Sequence, residues 1–330
     1  MDIIQTLIEK AKKKPMRIVY PEGFDERIVI AAAKSAEMGI VLPIVVGNEQ
    51  EIKALAQKNN VSTGRLTIVS TTDEERLKKY ATDYANSRQV KFGIAEKLVK
   101  KPLSFACMMV KMGDADGMVG GVASATASVI QSATLTVGYG AGLSTASSFF
   151  IMVIPEFAGV KDKIFIFADC AVNIAPSARQ LAEIGIASGH NARALLGIDP
   201  KIAFLSFSTQ GSASHEHVDK VTAALKIARG IDPALDMDGE LQGDAAIVAR
   251  VAAKKVKQST VAGSANVLIF PDLDAGNISY KLVQYLAGAK AYGPVLQGFA
   301  KPINDMSRGA SVEDLIGVSA ITCVQAQNNQ

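Results

Sequence analysis

Residues 293–314 read GPVLQGFAKPINDMSRGASVED, and this segment carries the most informative chemistry in the chain. A strand-like start runs into a loop rich in Pro, Asn, Asp and Gly, and the pattern beyond it predicts a helix over residues 312–325. Ser307 and Arg308 lie just before that helix. A hydroxyl, a guanidinium and free backbone amides at a helix N-terminus suit a phosphate or a developing oxyanion. The segment therefore predicts an anion-binding site.

Asp314 has two interpretations. Ser311 and Asp314 have the spacing of a capping box, in which a carboxylate at the third helical position stabilises the helix start. The same carboxylate lies close enough to Ser307 and Arg308 in sequence to share a pocket with them. Ser307 and Arg308 are equally compatible with an exposed turn and a solvated charge. The pattern alone leaves both interpretations open.

Outward from this segment, short apolar runs rich in β-branched residues alternate with amphipathic stretches. This alternation predicts an α/β protein with mostly parallel sheets covered by helices, whose ligands bind at the carboxyl ends of the strands. The predicted strands are 17–20, 40–46, 66–69, 117–119, 150–154, 164–168, 202–206 and 267–270. The predicted helices, besides 312–325 and a basic amphipathic helix at the N-terminus, are 26–37, 74–86, 178–196, 218–228, 244–255 and 278–287.

The length of 330 residues favours two domains, because a single core stops growing near 250–300 residues. Two small or Gly-containing stretches, 137–148 and 289–293, are candidate crossovers between them. We therefore predict that residues 1–140 and 290–330 form domain I, and that residues 141–289 form an inserted domain II.

The composition of the chain argues against several classes of function. A net charge of +3 and the absence of Trp argue against nucleic-acid binding, and no apolar run is long enough for a membrane span. The N-terminal residues lack the apolar core and cleavage site of a signal peptide. Cys107, Cys170 and Cys323 are widely spaced and odd in number, which predicts reduced thiols in a cytoplasmic protein. No HExxH motif or cysteine cluster predicts a metal, and three histidines offer no convincing triad or metal site.

The segment 293–314 resembles the C-terminal signature of the phosphate acetyltransferases, in the phosphate acetyl/butyryltransferase family, across more than twenty residues. Similar matches follow along most of the chain. They are YPEG at 20–23 with Arg27, DADG at 114–117 with GG at 120–121, DCAVN at 169–173 with AEI at 182–184, LSFST at 205–209 with GS at 211–212, DGELQ at 238–242, and NVLIFPD at 266–272 with GN at 276–277. The resemblance implies a fold like that of the isocitrate and isopropylmalate dehydrogenases, with the active site in the cleft between two domains.

The resemblance also implies the site residues. Asp314 matches the general base that removes the thiol proton of coenzyme A, Ser307 the hydroxyl that hydrogen-bonds the thiol or the oxyanion, and Arg308 the arginine that holds phosphate. The reaction would be direct acetyl transfer in a ternary complex of CoA and acetyl phosphate, without an acyl-enzyme, a metal or a cofactor. An unperturbed Asp is a weak base, so partial burial would have to raise its pKa. A homodimer is a further expectation from the family.

Other substrate contacts are expected at Arg88, Thr126 and Asn304. Arg88 otherwise ends a solvent-facing helix, and the small residues around Thr126 also suit close packing. The chain departs from the family at two positions, where Gln131 and Tyr285 replace arginines. Because neither side chain supplies a bidentate cation, we expect weaker or differently placed binding of phosphate groups there.

Three alternatives remain. A phosphate butyryltransferase would share these motifs, since pocket size is not legible from the sequence. A non-catalytic protein that binds CoA or phosphate would also explain the two neutral positions. A dehydrogenase is disfavoured because the glycines at 138, 140 and 142 do not form GxGxxG. Cys170 follows a strand-like run, which favours packing over a nucleophilic role.

Overall fold

The computed structural model describes residues 3–329, and in it the chain forms two compact units. Unit 1 comprises residues 1–140 and 299–330, and unit 2 comprises residues 141–298. Met1 and Asp2, part of the predicted N-terminal helix, lie outside the described residues. No described helix has the length and apolar character needed to cross a membrane. The expectation of an active site in a cleft between domains stays a prediction.

Unit 1 is built on a five-stranded sheet. Its elements are α1 (Ile3–Lys12), β1 (Met16–Tyr20), α2 (Glu26–Glu37), β2 (Val41–Val46), α3 (Glu49–Lys58), β3 (Thr67–Val69), α4 (Glu74–Arg88), α5 (Phe92–Val99), α6 (Pro102–Lys111), β4 (Gly117–Gly120), α7 (Thr126–Thr136), β11 (Ile303–Asp305) and α13 (Val312–Asn328). The strand order is β11-β4-β1-β2-β3, and every pairing is parallel.

Both faces of this sheet are buried, as expected when helices cover a parallel sheet on each side. Val19 of β1 joins an apolar cluster with side chains of α4 to α7, including Phe105. The next residue, Tyr20, points to the opposite face, where its buried hydroxyl donates to Ser319 of α13 at 2.7 Å. The alternation of side chains along β1 therefore fixes which helices lie on which face.

Unit 2 contains a six-stranded sheet. Its elements are β5 (Ser147–Phe157), β6 (Val160–Ala168), α8 (Ala178–Asn191), a π-helical turn (Ala192–Leu196), β7 (Lys201–Leu205), α9 (Glu216–Ile231), β8 (Asp236–Leu241), α10 (Gly243–Ile247), α11 (Ala249–Lys255), β9 (Val267–Ile269), α12 (Leu273–Leu286) and β10 (Lys290–Gln297). The order is β10-β5-β6-β9-β7-β8; the described pairs β10–β5 and β5–β6 are antiparallel, and the pairs β6–β9, β9–β7 and β7–β8 are parallel. The predicted α/β class with mostly parallel sheets is confirmed.

The second domain boundary differs from the prediction. We placed the return to domain I at residue 290, but the units divide between residues 298 and 299. The reason is β10, which pairs antiparallel with β5 and so belongs to the sheet of unit 2. Residues 290–297 contain Gly293 and Pro294, which made the segment resemble a crossover.

Two predicted helices also differ. The stretch 178–196 is α-helical only to Asn191 and continues as the π-helical turn. The stretch 244–255 is split into α10 and α11 because Val248 adopts an extended conformation. Helices α3, α5, α6 and α7 and strands β8 and β11 were not predicted.

Candidate active site

Three loops meet at one edge of the unit 1 sheet. Strands β11, β4 and β1 are neighbours and run parallel, so their carboxyl ends lie side by side. Glu22 follows β1, Gly121 follows β4, and Ser307 follows β11. Loops at the carboxyl ends of parallel strands are the usual ligand-binding region of α/β proteins. The structure therefore brings the predicted Ser307–Arg308 segment to the edge where a site is expected.

Glu22 organises the loop after β4. Its carboxylate is 1% exposed and accepts hydrogen bonds from the backbone amides of Gly121, Val122 and Ala123 at 2.8, 3.0 and 3.1 Å. The hydroxyl of Ser124 donates to the same carboxylate at 2.7 Å. A buried carboxylate with four donors is well satisfied, and it fixes the path of the backbone that leads into α7.

Arg27 organises the loop after β11. Its guanidinium donates to the carbonyl oxygens of Arg308 at 2.7 Å and Ala310 at 3.1 Å, and to that of Val122 at 3.0 Å. An ion pair of 2.8 Å with Asp25 holds the guanidinium in place. Arg27 thus links the loop that carries Arg308 to the loop after β4, which explains its place in the resemblance beside the YPEG segment.

Ser307 and Arg308 are exposed on a tight turn. The Ser307 carbonyl accepts from the amide of Ala310 at 2.9 Å, and its hydroxyl accepts from the amide of Gly309 at 3.2 Å. The Arg308 guanidinium has no hydrogen-bond or ion-pair partner within residues 3–329. An arginine whose backbone is fixed and whose side chain is uncommitted can receive an anion such as phosphate.

Asp314 forms the capping box that its spacing predicts. One carboxylate oxygen, Oδ2, accepts from the Ser311 amide at 2.9 Å and from its hydroxyl at 2.8 Å, while the Ser311 hydroxyl accepts from the Asp314 amide at 3.1 Å. The other oxygen, Oδ1, accepts no hydrogen bond from a described residue. Asp314 is exposed, so the partial burial expected for a general base is not found. The capping role and an available oxygen coexist on this side chain.

Thr126 is joined to a buried acid that the sequence analysis missed. Its hydroxyl donates to Oδ2 of Asp305 at 2.5 Å, and Asp305 is only 3% exposed. Burial raises the pKa of Asp305 to about 6; the nearby charge of Glu22 also raises it, whereas the Thr126 hydrogen bond lowers it. The second oxygen, Oδ1, is buried without a hydrogen-bond partner among the described residues. A carboxyl of this kind holds a proton more readily than an ordinary aspartate.

Gly121 is required by this buried acid. Its backbone adopts a φ of +102°, and a Cβ atom at this position would lie 2.0 Å from Oδ1 of Asp305. Only glycine allows both the left-handed conformation and the close approach. The loop after β4 is therefore packed directly onto the strand that leads to Ser307.

Gln131 lines a cavity at the same edge. The cavity has a volume of about 450 Å³ and lies next to Glu22. Its lining residues are Glu22, Phe24, Leu98, Lys101, Pro102, Leu103, Ser104, Ser124, Ser128, Gln131, Ser132 and Leu135. A volume of this size suits a small-molecule ligand. The position where the family resemblance expects an arginine thus faces a space that a substrate can occupy.

Three predicted substrate contacts have other surroundings. Asn304 is fully buried and donates to Thr322 and Gln325 of α13 at 2.8 Å each, so it stabilises unit 1, and this burial disfavours the predicted substrate contact. Arg88 donates to the carbonyls of Leu135 and Thr134 at 3.1 and 3.0 Å, at the end of α7, which favours its interpretation as a helix-end residue. Tyr285 lies on α12 in unit 2 and is 80% exposed.

Cys170 has the surroundings of a packing residue. Burial raises the pKa of the Cys170 thiol well above its ordinary value, which disfavours a nucleophilic thiolate. Cys107 and Cys323 are likewise buried free thiols. Within residues 3–329 no group of His, Cys, Asp and Glu is arranged to hold a metal ion.

Glu22, Asp305 and Lys101 were not among the site residues predicted from the sequence. Glu22 stands in the YPEG segment and Asp305 in the NDMSR segment, so both lay inside quoted motifs and only their roles were missed. Lys101 lies in the run Lys100-Lys101-Pro102, which reads as an exposed turn and gave no signal of a cavity.

Comparison with known proteins gives matches along the whole chain. Residues 2–323 match the family described as "Phosphate acetyl/butaryl transferase". A phosphate acetyltransferase of Thermoanaerobacterium thermosaccharolyticum is 48% identical over 331 residues, covering 99% of this chain and 100% of that protein. A phosphate acetyltransferase of Bacillus subtilis is 41% identical, covering 98% of this chain and 99% of its own.

Solved structures are also similar to this chain. A phosphotransacetylase from Streptococcus pyogenes has a TM-score of 0.91 and 41% identity, with 99% of this chain and 98% of that chain covered. A branched-chain phosphotransacylase from Enterococcus faecalis has a TM-score of 0.65 and 21% identity, with 94% and 99% coverage, and shows a shared fold.

Proposed function

Because the chain belongs to the phosphate acetyl/butyryl transferase family, we propose that it transfers an acetyl group reversibly between acetyl phosphate and coenzyme A. The observation that carries this proposal is the full-length similarity, at 41–48% identity, to proteins named phosphate acetyltransferase. The exposed Ser307–Arg308 turn at the carboxyl edge of the unit 1 sheet supports it with a site suited to phosphate. The chain is thus an acyltransferase.

We propose a direct reaction in a ternary complex. Asp314 Oδ1, which has no hydrogen-bond partner among the described residues, accepts the proton of the CoA thiol. The sulfur attacks the carbonyl carbon of acetyl phosphate, and the tetrahedral intermediate collapses as the carbon–oxygen bond to phosphate breaks. Inorganic phosphate leaves and takes up the proton held by Asp314, which restores the carboxylate, and acetyl-CoA remains. Arg308 offsets the charge of the phosphate and the oxyanion, and Ser307 donates a hydrogen bond to the reacting atoms.

Positioning supplies much of the acceleration in this proposal. Acetyl phosphate is already an activated acyl donor, so the protein needs mainly to align the thiol with its carbonyl. The contacts of Arg27 and Glu22 support this, because they fix the loop that carries Arg308 and the loop that leads into α7 at Thr126. CoA is a substrate in this scheme, and we propose that no further cofactor or metal is needed.

The decisive experiment follows thioester formation from CoA and acetyl phosphate by ultraviolet absorbance, with propionyl and butyryl phosphate in parallel. Acetyl phosphate should give the highest kcat/KM. A preference for butyryl phosphate would favour the butyryltransferase alternative. CoA binding without thioester formation from any donor would identify a binding protein that lacks the reaction.

We also propose a cytoplasmic homodimer. The three buried free thiols fit a reducing compartment. Ile278, Leu282 and Leu286 are more than half exposed and lie in one row on α12, a surface that a second copy would cover. Light scattering tests the mass in solution, and a monomer at micromolar concentration would reject the dimer.

A further inference from the structure

The cavity beside Glu22 lacks a positive charge at Gln131. Phosphate groups in proteins are usually held by a cation together with hydrogen-bond donors. Gln131 lines this cavity and carries no charge, although the family resemblance expects an arginine at its position. If phosphate binds here, another residue must supply the positive charge.

Lys101 is the one lysine or arginine among the described residues that line the cavity. The cavity wall also presents the hydroxyls of Ser128 and Ser132 and the amide of Gln131, all of which can donate hydrogen bonds to a phosphate oxygen. Lysine, with three donors on a compact charge, is a common phosphate ligand. The cavity therefore has both the donors and the cation that such a group needs.

The ammonium of Lys101 is free to act in this way. It forms no ion pair or hydrogen bond with a residue of the described part of the chain, and it is exposed. Its neighbour Lys100, by contrast, pairs with Glu96 at 3.5 Å and does not line the cavity. Glu22 also lines the cavity, but its four hydrogen-bond donors from the loop after β4 already satisfy its carboxylate.

Helix stability does not explain this lysine. Lys101 is the N-cap residue of α6 and makes no capping hydrogen bond through its side chain. Ser, Thr, Asp and Asn are preferred at this position, and a positive charge there is repelled by the positive end of the helix dipole. The charge is locally unfavourable unless an anion binds beside it.

We infer that Lys101 is the cationic contact for a phosphate group in this cavity, in place of the charge missing at Gln131. The inference rests on the proposed function and names a specificity-determining residue of its site. The phosphate belongs either to the 3′-phosphate of CoA or to acetyl phosphate and inorganic phosphate, and the chemistry of the cavity is the same for both.

The test compares Lys101→Ala with wild type and with the matched control Lys100→Ala. KM is measured for CoA, dephospho-CoA and acetyl phosphate. We expect Lys101→Ala to raise KM about fivefold to tenfold for the substrate whose phosphate it contacts, as expected for the loss of one charge-assisted contact. A rise for CoA but not for dephospho-CoA assigns the 3′-phosphate, whereas a rise for acetyl phosphate alone assigns the acyl donor.

Two further variants sharpen the test. Lys101→Arg should retain the wild-type KM because it keeps the charge. Gln131→Arg in the Lys101→Ala background should recover most of the loss, since it places a cation on the same cavity wall. KM values for Lys101→Ala within twofold of wild type for all three substrates would overturn the inference.

Failure of the inference and failure of the proposed function are distinguishable. Calorimetric binding of CoA and of inorganic phosphate to the wild type and to Lys101→Ala tests the contact without turnover. If the wild type makes no thioester, the proposed function fails. If the wild type and Lys101→Ala bind CoA with equal affinity and also bind inorganic phosphate with equal affinity, the inference about Lys101 is overturned, whatever the outcome of the thioester assay. Because Lys101 is exposed, circular dichroism should show unchanged folding of the variant.

Discussion

The hydroxyl of Thr126 donates a hydrogen bond of 2.5 Å to the carboxylate of Asp305, although 179 residues separate them in the chain. The bond joins the first residue of α7 to the end of β11. Two residues beyond Asp305 the chain reaches Ser307 and Arg308. The hydrogen bond therefore ties one wall of the candidate site to the segment that we propose performs the reaction.

Asp305 should make stability depend on pH. The pKa of its carboxyl is raised from 3.8 to about 6 in the folded protein, so between these values the folded state holds a proton that the unfolded chain has released. The stability from the neutral carboxyl is full below about pH 4 and is lost as pH rises through 6. Relative to Asp305→Asn, wild type should lose roughly 2 kcal/mol of unfolding free energy between pH 4 and pH 7.

Urea denaturation across this pH range measures the effect, with Asp116→Asn as the control. Burial alone would raise the pKa of Asp116, but hydrogen bonds and charge from Arg17 hold it below its ordinary value. Between pH 4 and pH 7 wild type should keep its stability relative to this control variant, and it should lose stability only as pH falls below about 4, through the lowered pKa of Asp116, which is the opposite direction. Parallel pH curves for wild type and Asp305→Asn would contradict the assignment.

Asp314→Asn should separate catalysis from capping. Asparagine retains an oxygen that can accept from the Ser311 amide, so the unfolding free energy should change by less than about 1 kcal/mol. As a general base the carboxylate is irreplaceable, and kcat should fall roughly 10²-fold or more with little change in KM. Steady-state kinetics and thermal unfolding measure the two effects.

Ser311→Ala is the matched control for this experiment, since it removes the cap and keeps the carboxylate. It should lower the unfolding free energy by about 1 kcal/mol and spare most of kcat. Equal losses of kcat in both variants would mean that Asp314 acts only through helix α13.

Glu22→Gln should weaken the loop after β4. In the wild type, backbone N–H donors face the carboxylate of Glu22. In the variant, some of them would face the NH₂ group of the glutamine amide, which cannot accept a hydrogen bond. We therefore expect a loss of about 2–4 kcal/mol in unfolding free energy. Because the loop lines the cavity, KM for substrates should rise as well. Glu26→Gln, at an exposed ion pair with Lys58, is the control and should leave the unfolding free energy nearly unchanged.

Gly121→Ala should be more damaging than glycine substitutions elsewhere. The new methyl group would clash with Asp305, and we expect a loss of about 2–3 kcal/mol beyond the cost of the backbone conformation. Gly138→Ala isolates that cost, because Gly138 has a φ of +76° but no neighbouring atom within 4 Å of the point that a Cβ would occupy. Similar thermal unfolding of the two variants would show that the loop relaxes freely around Asp305.

Asn304→Ala should lower stability and spare the chemistry. Loss of the two amide hydrogen bonds leaves Thr322 and Gln325 short of buried partners, at a cost of about 1–3 kcal/mol. Substrate KM should stay within about twofold when measured well below the unfolding temperature. A stable variant with a tenfold higher KM would instead support the predicted substrate contact of Asn304.

Most of the strands that were predicted from the sequence are buried apolar runs. β1, β2 and β6 read in this way, so they were predicted to within a few residues. β8 was missed because its sequence, DMDGEL, carries three acidic residues, and β11 because it has only three residues in a segment with turn-forming Asn and Asp. Periodicity cannot report a strand whose polar side chains are satisfied by tertiary contacts.

Those parts of the candidate site that depend on local sequence spacing could be predicted. The Ser307–Arg308 turn and the capping box at Asp314 were both readable from spacing. The burial of Asp305 was not, because it depends on β11 lying beside β4 and on Gly121 packing against it. The same holds for Asn304, whose orientation depends on the alternation of side chains in a strand that was not predicted.

Arg27 contacts the backbone of Arg308 across 281 residues of sequence. During synthesis, Arg27 leaves the ribosome early. It cannot form this hydrogen bond until β11 and the start of α13, with Arg308 between them, have also emerged. All of unit 2 is synthesised in between. A release of the chain just before β11 would leave β4 as an unpaired sheet edge, which exposes the intermediate to association with other chains. Synthesis to the final helix is thus a requirement for a protected fold as well as for a complete active site.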